Sequence, residues 1–325
     1  MFTYTFFIAL IILNLVFFKL FIKFAKKIGF VDKSRKFKNP ITLTSAGIII
    51  YFNLIILFII HFFLEDNFIK NWPNNFVVTI ACCTILFIIS TIDDVKPIDP
   101  KIRLFFQLFC VYFSITSIPI LQLVFPIKIS IFICLCVWVY ILNITNFTDG
   151  SDGFLGTNTV FLCLNLILIN HFLNLNLFSS KLALFILPSI IAFLYFNRPN
   201  AKLYMGDSGS ILIGFINGYI FLELFSNGFL NLSVSLLVYP LLDCSLALIK
   251  KTFKGIMPWA DISNYSFLQP TIKKNKNKFF VFYINIIFNI FNSILIFSQL
   301  YFGWLVIFLN ILLSLLFIRI YEKKT

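Results

Sequence analysis

Eleven apolar stretches of about 17–25 residues, each long enough to cross a bilayer as a helix, account for most of this 325-residue chain. They run near 2–22, 44–64, 75–91, 103–122, 127–145, 155–173, 180–197, 208–226, 230–249, 279–298 and 300–320. A water-soluble domain could not hide them. Hydrophobic residues make up 60% of the chain and charged ones 12%, with a mean hydropathy of +0.97. The expected fold is therefore an all-α integral membrane protein of about eleven transmembrane helices. No repeat or linker divides the chain, so residues 1–325 read as one polytopic domain. The first stretch lacks a basic lead-in and is too long for a cleaved signal peptide.

Lysine and arginine orient these helices, because basic residues near helix ends stay in the cytoplasm. If odd-numbered helices exit to that side, it receives 23 basic residues and the other side only Lys70, Lys128 and Lys181. The N-terminus is then outside and the C-terminus cytoplasmic. The net charge of +13 is mostly topology. It implies no nucleic-acid partner, although a basic face helps to attract anionic substrates and lipid headgroups.

Acidic residues are sparse on the cytoplasmic side: Asp32, Asp93, Asp94, Asp99, Asp149, Asp152, Asp207, Asp243, Asp261 and Glu322. Nearly all are aspartate, and most sit beside a predicted helix end, where a membrane-surface active site would be built. Glu65, Asp66 and Glu223 fall near the outer side and read as boundary residues. The seven cysteines all lie inside predicted spans and read as small hydrophobes. His61 and His171, both near outer helix ends, give a zinc site little support.

Three motifs carry chemistry. Asn143-x-x-Asn146-x-x-Asp149-Gly150-x-Asp152-Gly153 places two carboxylates on a glycine-punctuated break. A carboxylate at bilayer depth costs roughly 2.5–3.5 kcal/mol on insertion scales, so a pair calls for a cation or a water-filled site. On a helical turn Asp149 and Asp152 would face the same way. Asp93-Asp94, followed by Lys96, Lys101 and Arg103, suits a general base beside an anion-binding surface. In Met205-Gly206-Asp207-Ser208-Gly209-Ser210, Asp207 is a hard oxygen ligand, and Ser208 and Ser210 are expected to cap the helix that follows. Magnesium is the natural ion, since it takes few protein carboxylates and bridges to substrate phosphates; manganese is the alternative. The plainer readings are an Asx-rich helix stop, a solvated loop and an N-cap respectively.

These blocks, with Phe196-Asn197-x-x-x-Ala201-Lys202, resemble the signatures of the polyprenyl-phosphate N-acetylhexosamine-1-phosphate transferases, glycosyltransferase family 4. That family includes WecA-like enzymes and the phospho-MurNAc-pentapeptide translocase. Weaker echoes are Val31-Asp32, Arg35-Lys36, Pro40 through Gly47, Lys101-x-Arg103-Leu104-x-x-Gln107, Pro240-x-x-Asp243 and Lys250-Lys251. The resemblance implies a multi-pass enzyme of the bacterial plasma membrane. It would transfer a sugar 1-phosphate from a UDP-amino sugar to a polyprenyl (undecaprenyl) phosphate, releasing UMP and starting a cell-surface glycan. Asp93, Asp94, Asp149 and Asp152 become the candidate catalytic acids, and Asp207 and Asp152 the candidate metal ligands. Asn146, Asn197, Tyr204 (stacking on uracil), Lys101, Arg103, Asn264 and Ser266 become the substrate contacts. A homodimer is left open.

Two departures stand out. Where the family places histidines in the last cytoplasmic loop, this chain reads Asp261-Ile-Ser-Asn264-Tyr-Ser266. Paired glycines are replaced by Ala46-Gly47, which narrows the room for close backbone approach. The competing readings are a catalytically weak homologue serving as a scaffold and an ion-coupled transporter. The transporter requires midplane acids and inverted repeats, and neither is seen.

Overall fold

The computed structural model describes residues 4–28, 30, 42–64, 76–118, 126–257, 264–272 and 277–323. Asp32, Arg35, Lys36, Pro40, Glu65, Asp66 and Asp261 lie outside this set. Among the described residues thirteen α-helices run in order: α1 (Tyr4–Ile28), α2 (Gly47–Leu64), α3 (Phe76–Val95), α4 (Pro100–Ser114), α5 (Ile127–Thr148), α6 (Phe154–Leu173), α7 (Phe178–Asn197), α8 (Gly206–Ser226), α9 (Leu230–Leu236), α10 (Val238–Phe253), α11 (Gln269–Ile272), α12 (Lys278–Phe302) and α13 (Leu305–Glu322).

Eight of the described helices are long and apolar enough to cross a membrane: α1, α3, α5, α6, α7, α8, α12 and α13. The protein is a multi-pass membrane protein. Among the described residues each of the eleven apolar stretches contains helix, but α4 has only 15 residues and α2 is apolar over the shorter stretch Gly47–Phe63. The stretch 230–249, expected as one span, is broken into α9 and α10, which meet at 70°. Pro240 explains the break, since it has no N–H to offer the Leu236 carbonyl and its ring crowds that oxygen. Helix α12 covers the exposed polar groups: Asn292 Nδ2 donates to the Ser235 carbonyl at 3.2 Å and Gln299 Nε2 to Ser235 Oγ at 2.5 Å.

Helix α8 is the hub, with every residue from Ser208 to Leu224 buried. Small residues at four-residue spacing, Ser210, Gly214 and Gly218, let α5 approach closely. A Cβ at Gly214 would lie 2.7 Å from the Leu142 carbonyl oxygen, and one at Gly218 only 2.0 Å from Trp138 Cδ1. Trp138 then donates its indole N–H to the Phe215 carbonyl at 2.9 Å.

Buried carboxylates hold helix starts from neighbouring elements. Glu223 of α8 accepts the Phe178 and Ser179 amides at the start of α7, at 3.0 and 2.8 Å. It is 7% exposed, so the expectation of an ordinary boundary residue is corrected. The four orphan N–H groups of a helix N-terminus need acceptors, and in lipid water cannot supply them.

Candidate active site

The site gathers at one end of the bundle, where α3, α5 and α7 finish and α2, α4, α6, α8 and α12 begin. At its centre is the start of α8. Asp94 Oδ1 accepts the Asp207 amide at 2.7 Å, and Oδ2 accepts the Ser208 amide at 3.2 Å and the Ser45 hydroxyl at 2.8 Å. Asp94 therefore caps α8 from another helix, whereas Ser208 and Ser210 were expected to do so from within. Ser210 instead donates to Asn146 Oδ1 of α5 at 2.7 Å. Gly206 is required twice over: its φ is +75°, and a Cβ there would lie 2.6 Å from Asp94 Oδ2.

Residues 43–47 run alongside 203–205 as a strap. Leu43 accepts the Tyr204 amide at 2.7 Å, and the Ala46 and Gly47 amides reach the Tyr204 and Met205 carbonyls at 3.2 and 3.1 Å. A Cβ on Gly47 would fall 2.1 Å from the Gly209 nitrogen. One glycine thus preserves the close approach that Ala46 was expected to narrow.

Arg103, on the first turn of α4, joins the remaining acids. A single guanidinium nitrogen lies 2.6 Å from Asp93 Oδ2 and 2.7 Å from Asp207 Oδ2. The Asp93 side chain is 8% exposed and that of Asp207 32%, so the pair opens at Asp207. Asp93 Oδ1 also accepts the Ile98 amide at 2.6 Å. The partly exposed Asp207 carboxylate is chemically suited to a hard divalent cation, which needs only one or two carboxylates beside substrate oxygens. Lys101 is exposed, and among the described residues no contact joins its ammonium to these acids.

Asp149 and Asp152 do not share a helical face. Helix α5 ends at Thr148, Asp149 is its C-cap, and the turn reaches α6 through Gly153 at φ +71°. Asp152 is 3% exposed. Its Oδ2 accepts from Lys278 Nζ at 2.9 Å and from the Ala201 amide at 3.2 Å, and its Oδ1 faces the Tyr204 hydroxyl at 3.4 Å. Asp152 and Asp207 therefore rest on different partners. Asn197 ties the same region together, accepting the Gly153 amide and donating to the Leu203 carbonyl, both at 2.9 Å. Tyr204 is 7% exposed, leaving little ring surface to stack on a base. Asn143 reaches Gln107 of α4 at 2.7 Å.

Asn264 and Ser266 are buried, and Ser266 is bound within the protein. Asp243 accepts the Ser266 amide at 3.1 and 3.2 Å, and the Tyr239 and Ser266 hydroxyls lie 2.8 Å apart. Tyr265 between them stacks on Phe147, with Lys251 Nζ 4.6 Å above its ring. The segment is pinned to the underside of the turn: a Cβ on Gly150 would meet Leu268 at 3.0 Å. Lys278 escaped the sequence analysis. It closes a basic run, Lys273 through Lys278, that reads mostly as topology, and only the run's abutment on an apolar span hints at more.

The architecture is that of a multi-pass membrane protein with a charged, helix-end site suited to anionic ligands. Residues 76–225 match the family model described as Glycosyl transferase family 4. The matched stretch holds Asp93, Asp94, Arg103, Asn146, Asp149, Asp152, Asn197, Tyr204 and Asp207, but not Lys278, Asn264 or Ser266. The chain is similar to the phospho-N-acetylmuramoyl-pentapeptide-transferase of Leuconostoc citreum, with 35% identity over 27% of this chain and 28% of that protein. It is also similar to the undecaprenyl-phosphate alpha-N-acetylglucosaminyl 1-phosphate transferase of Thermotoga maritima, with 31% identity over 59% of this chain and 56% of that protein. The Escherichia coli protein of the latter name is 27% identical over 73% of this chain and 68% of its own length. The first two of these matches span about a quarter and about half of the relatives' lengths.

Proposed function

We propose that this protein transfers a sugar 1-phosphate, carrying an N-acetylated amino sugar, from a UDP-sugar to polyprenyl phosphate. A carrier phosphate oxygen attacks the sugar-bearing phosphorus, the bond linking it to the uridine phosphate breaks, and UMP leaves. The observation that carries this reading is Arg103 bridging Asp93 and Asp207 at the capped start of α8. It supplies positive charge and carboxylate oxygens to one small region, which is what phosphoryl transfer needs most. The names of the relatives support the same reaction class.

Within it, Asp94 is a positioning residue because both its oxygens hold backbone amides at the start of α8. Asp93 also has both oxygens engaged, Oδ1 on the Ile98 amide and Oδ2 on Arg103, and is the proton acceptor for the carrier phosphate through Oδ2, whose partner is a side chain that substrate phosphate can draw away. Arg103 holds Asp93 and Asp207 and offers its remaining N–H groups to phosphate. Asp207, which is the more exposed of the two acids and meets Arg103 through Oδ2, would hold Mg2+, or Mn2+, through its other oxygen; among the described residues no three His, Cys, Asp or Glu side chains form a ready-made cage. A bound divalent ion would supply charge neutralisation on the diphosphate. Asn146, Asp149, Asp152 and Asn197 shape the donor side of the site.

The spans number eleven if α2, α4 and the broken α9–α10 pair cross or dip into the bilayer with the other eight. The lysine and arginine distribution supports an outside N-terminus and a cytoplasmic site, in a bacterial plasma membrane. The test is UMP release by the purified protein with undecaprenyl phosphate, a divalent ion and a panel of UDP-amino sugars. Release that requires both carrier and donor is expected. Silence across the panel from folded protein would overturn the reading.

A further inference from the structure

Helix α12 meets the α5–α6 turn along one face, residue against residue. Lys278, Phe282 and Asn285 follow the i, i+4, i+7 spacing that lines one side of a helix. Lys278 Nζ binds Asp152 Oδ2 at 2.9 Å. The Phe282 ring packs against Gly153, where a Cβ would lie 2.6 Å from it. Asn285 Nδ2 donates to the Phe154 carbonyl at 3.1 Å. Three consecutive residues of the turn, 152 to 154, are thus held by three consecutive positions of one helical stripe. Asn277 fixes where that helix starts, its side chain accepting the Phe279 amide at 3.1 Å.

The two ends of the ion pair differ in burial. The Asp152 side chain is 3% exposed and that of Lys278 28%. Lys278 is the one side-chain cation on Asp152 among the described residues; nearby Arg198 is taken up over the Tyr195 ring, 4.8 Å from its centroid. Asp152 also accepts the Ala201 amide, on the connection that leads to Asp207. Its carboxylate therefore links the turn, the α7–α8 connection and α12. Breaking a buried pair by removing the cation leaves a carboxylate without compensation, so the turn would shift to find solvent or another donor.

We propose that Lys278 is a positioning residue for donor binding: acting through Asp152, it fixes the 149–154 turn in the shape that receives the nucleotide diphosphate. This rests on the transferase reading above. It assigns a role to a lysine outside the stretch matched by the family model, at the N-terminus of a helix 126 residues further along the chain than its partner.

The test uses the full chain in lipid nanodiscs, as wild type, K278A, K278R and the doubly neutral D152N/K278M, which removes both charges at similar volume. Hydrogen exchange over the peptide covering 149–154 requires no turnover. KM and kcat are measured with whichever UDP-sugar the wild type accepts. For K278A, exchange in the turn is expected to rise about tenfold with the middle of α8 unchanged, roughly what one hydrogen bond to a charged group carries. KM is expected to rise about tenfold with kcat within about threefold, and K278R to retain wild-type values on both readouts. D152N/K278M is expected to stay folded and still show the KM defect, which guards against K278A simply failing to fold. Wild-type exchange and KM in K278A, or K278R as damaging as K278A, would overturn the proposal. If the wild type turns over no donor, the transferase reading fails by itself and the exchange result alone decides the role of Lys278.

Discussion

Asp94 Oδ1 accepts the backbone N–H of Asp207 at 2.7 Å, across 113 residues of sequence. One helix end thereby sets the start of another, and the Asp207 side chain leaves α8 toward Arg103 in a direction that Asp94 controls. An acid that reads in sequence as half of a catalytic pair is, in three dimensions, the cap on which its partners are mounted.

Asp94→Ala is accordingly expected to lose about 0.5–2 kcal/mol of stability, the range of a lost N-cap. It should also lose turnover through misplacement of Asp207. Thermal unfolding in detergent beside UMP release checks this. An Asp94→Ala protein as stable as wild type would show that the cap is dispensable.

Asp207→Asn leaves the backbone cap intact and removes a carboxylate from Arg103. Folding and insertion should be preserved while metal-dependent turnover falls to background, because an amide is a poor ligand for a hard divalent ion. Mn2+ binding followed by electron paramagnetic resonance should weaken in parallel. Full turnover from a well-folded variant would remove Asp207 from the metal assignment.

Gly218→Leu places a side chain where a Cβ would already lie 2.0 Å from Trp138. The α5–α8 contact has to open, at a cost of about 3 kcal/mol, the upper end for overpacking. A lowered unfolding midpoint with reduced turnover is the expected outcome. In a background where the other three tryptophans are replaced by phenylalanine, Trp138 fluorescence would report separation of the two helices.

Histidine at Ser266 tests the departure in the last loop. Ser266 is 0% exposed, and Tyr239 and Asp243 already occupy its hydroxyl and amide. Ser266→His is expected to destabilise the protein by about 1–3 kcal/mol through overpacking rather than to speed any reaction. Faster UMP release with unchanged stability would show that this segment swings out to meet substrate.

Much of this protein follows from composition and period alone. Apolar runs of bilayer length predict helices wherever they occur, because a backbone in lipid must satisfy itself locally. The aspartate-rich motifs at helix ends likewise marked Asp93, Asp94, Asp152 and Asp207, because charge at bilayer depth has to be justified by a partner, whereas Asn197 entered only through the family resemblance. What no local pattern carried was which partner each acid takes. Asp94 against the start of α8, Asp152 against Lys278, Glu223 against the start of α7 and Ser266 against Asp243 are all contacts between distant segments, and they exist only once the helices are packed. The fold decided that packing through small residues such as Gly47, Gly214 and Gly218, whose missing side chains set how closely α2 and α5 approach α8. Helix formation is local and readable from the chain, whereas the pairing of buried charges depends on which helix ends meet, and that is set by shape.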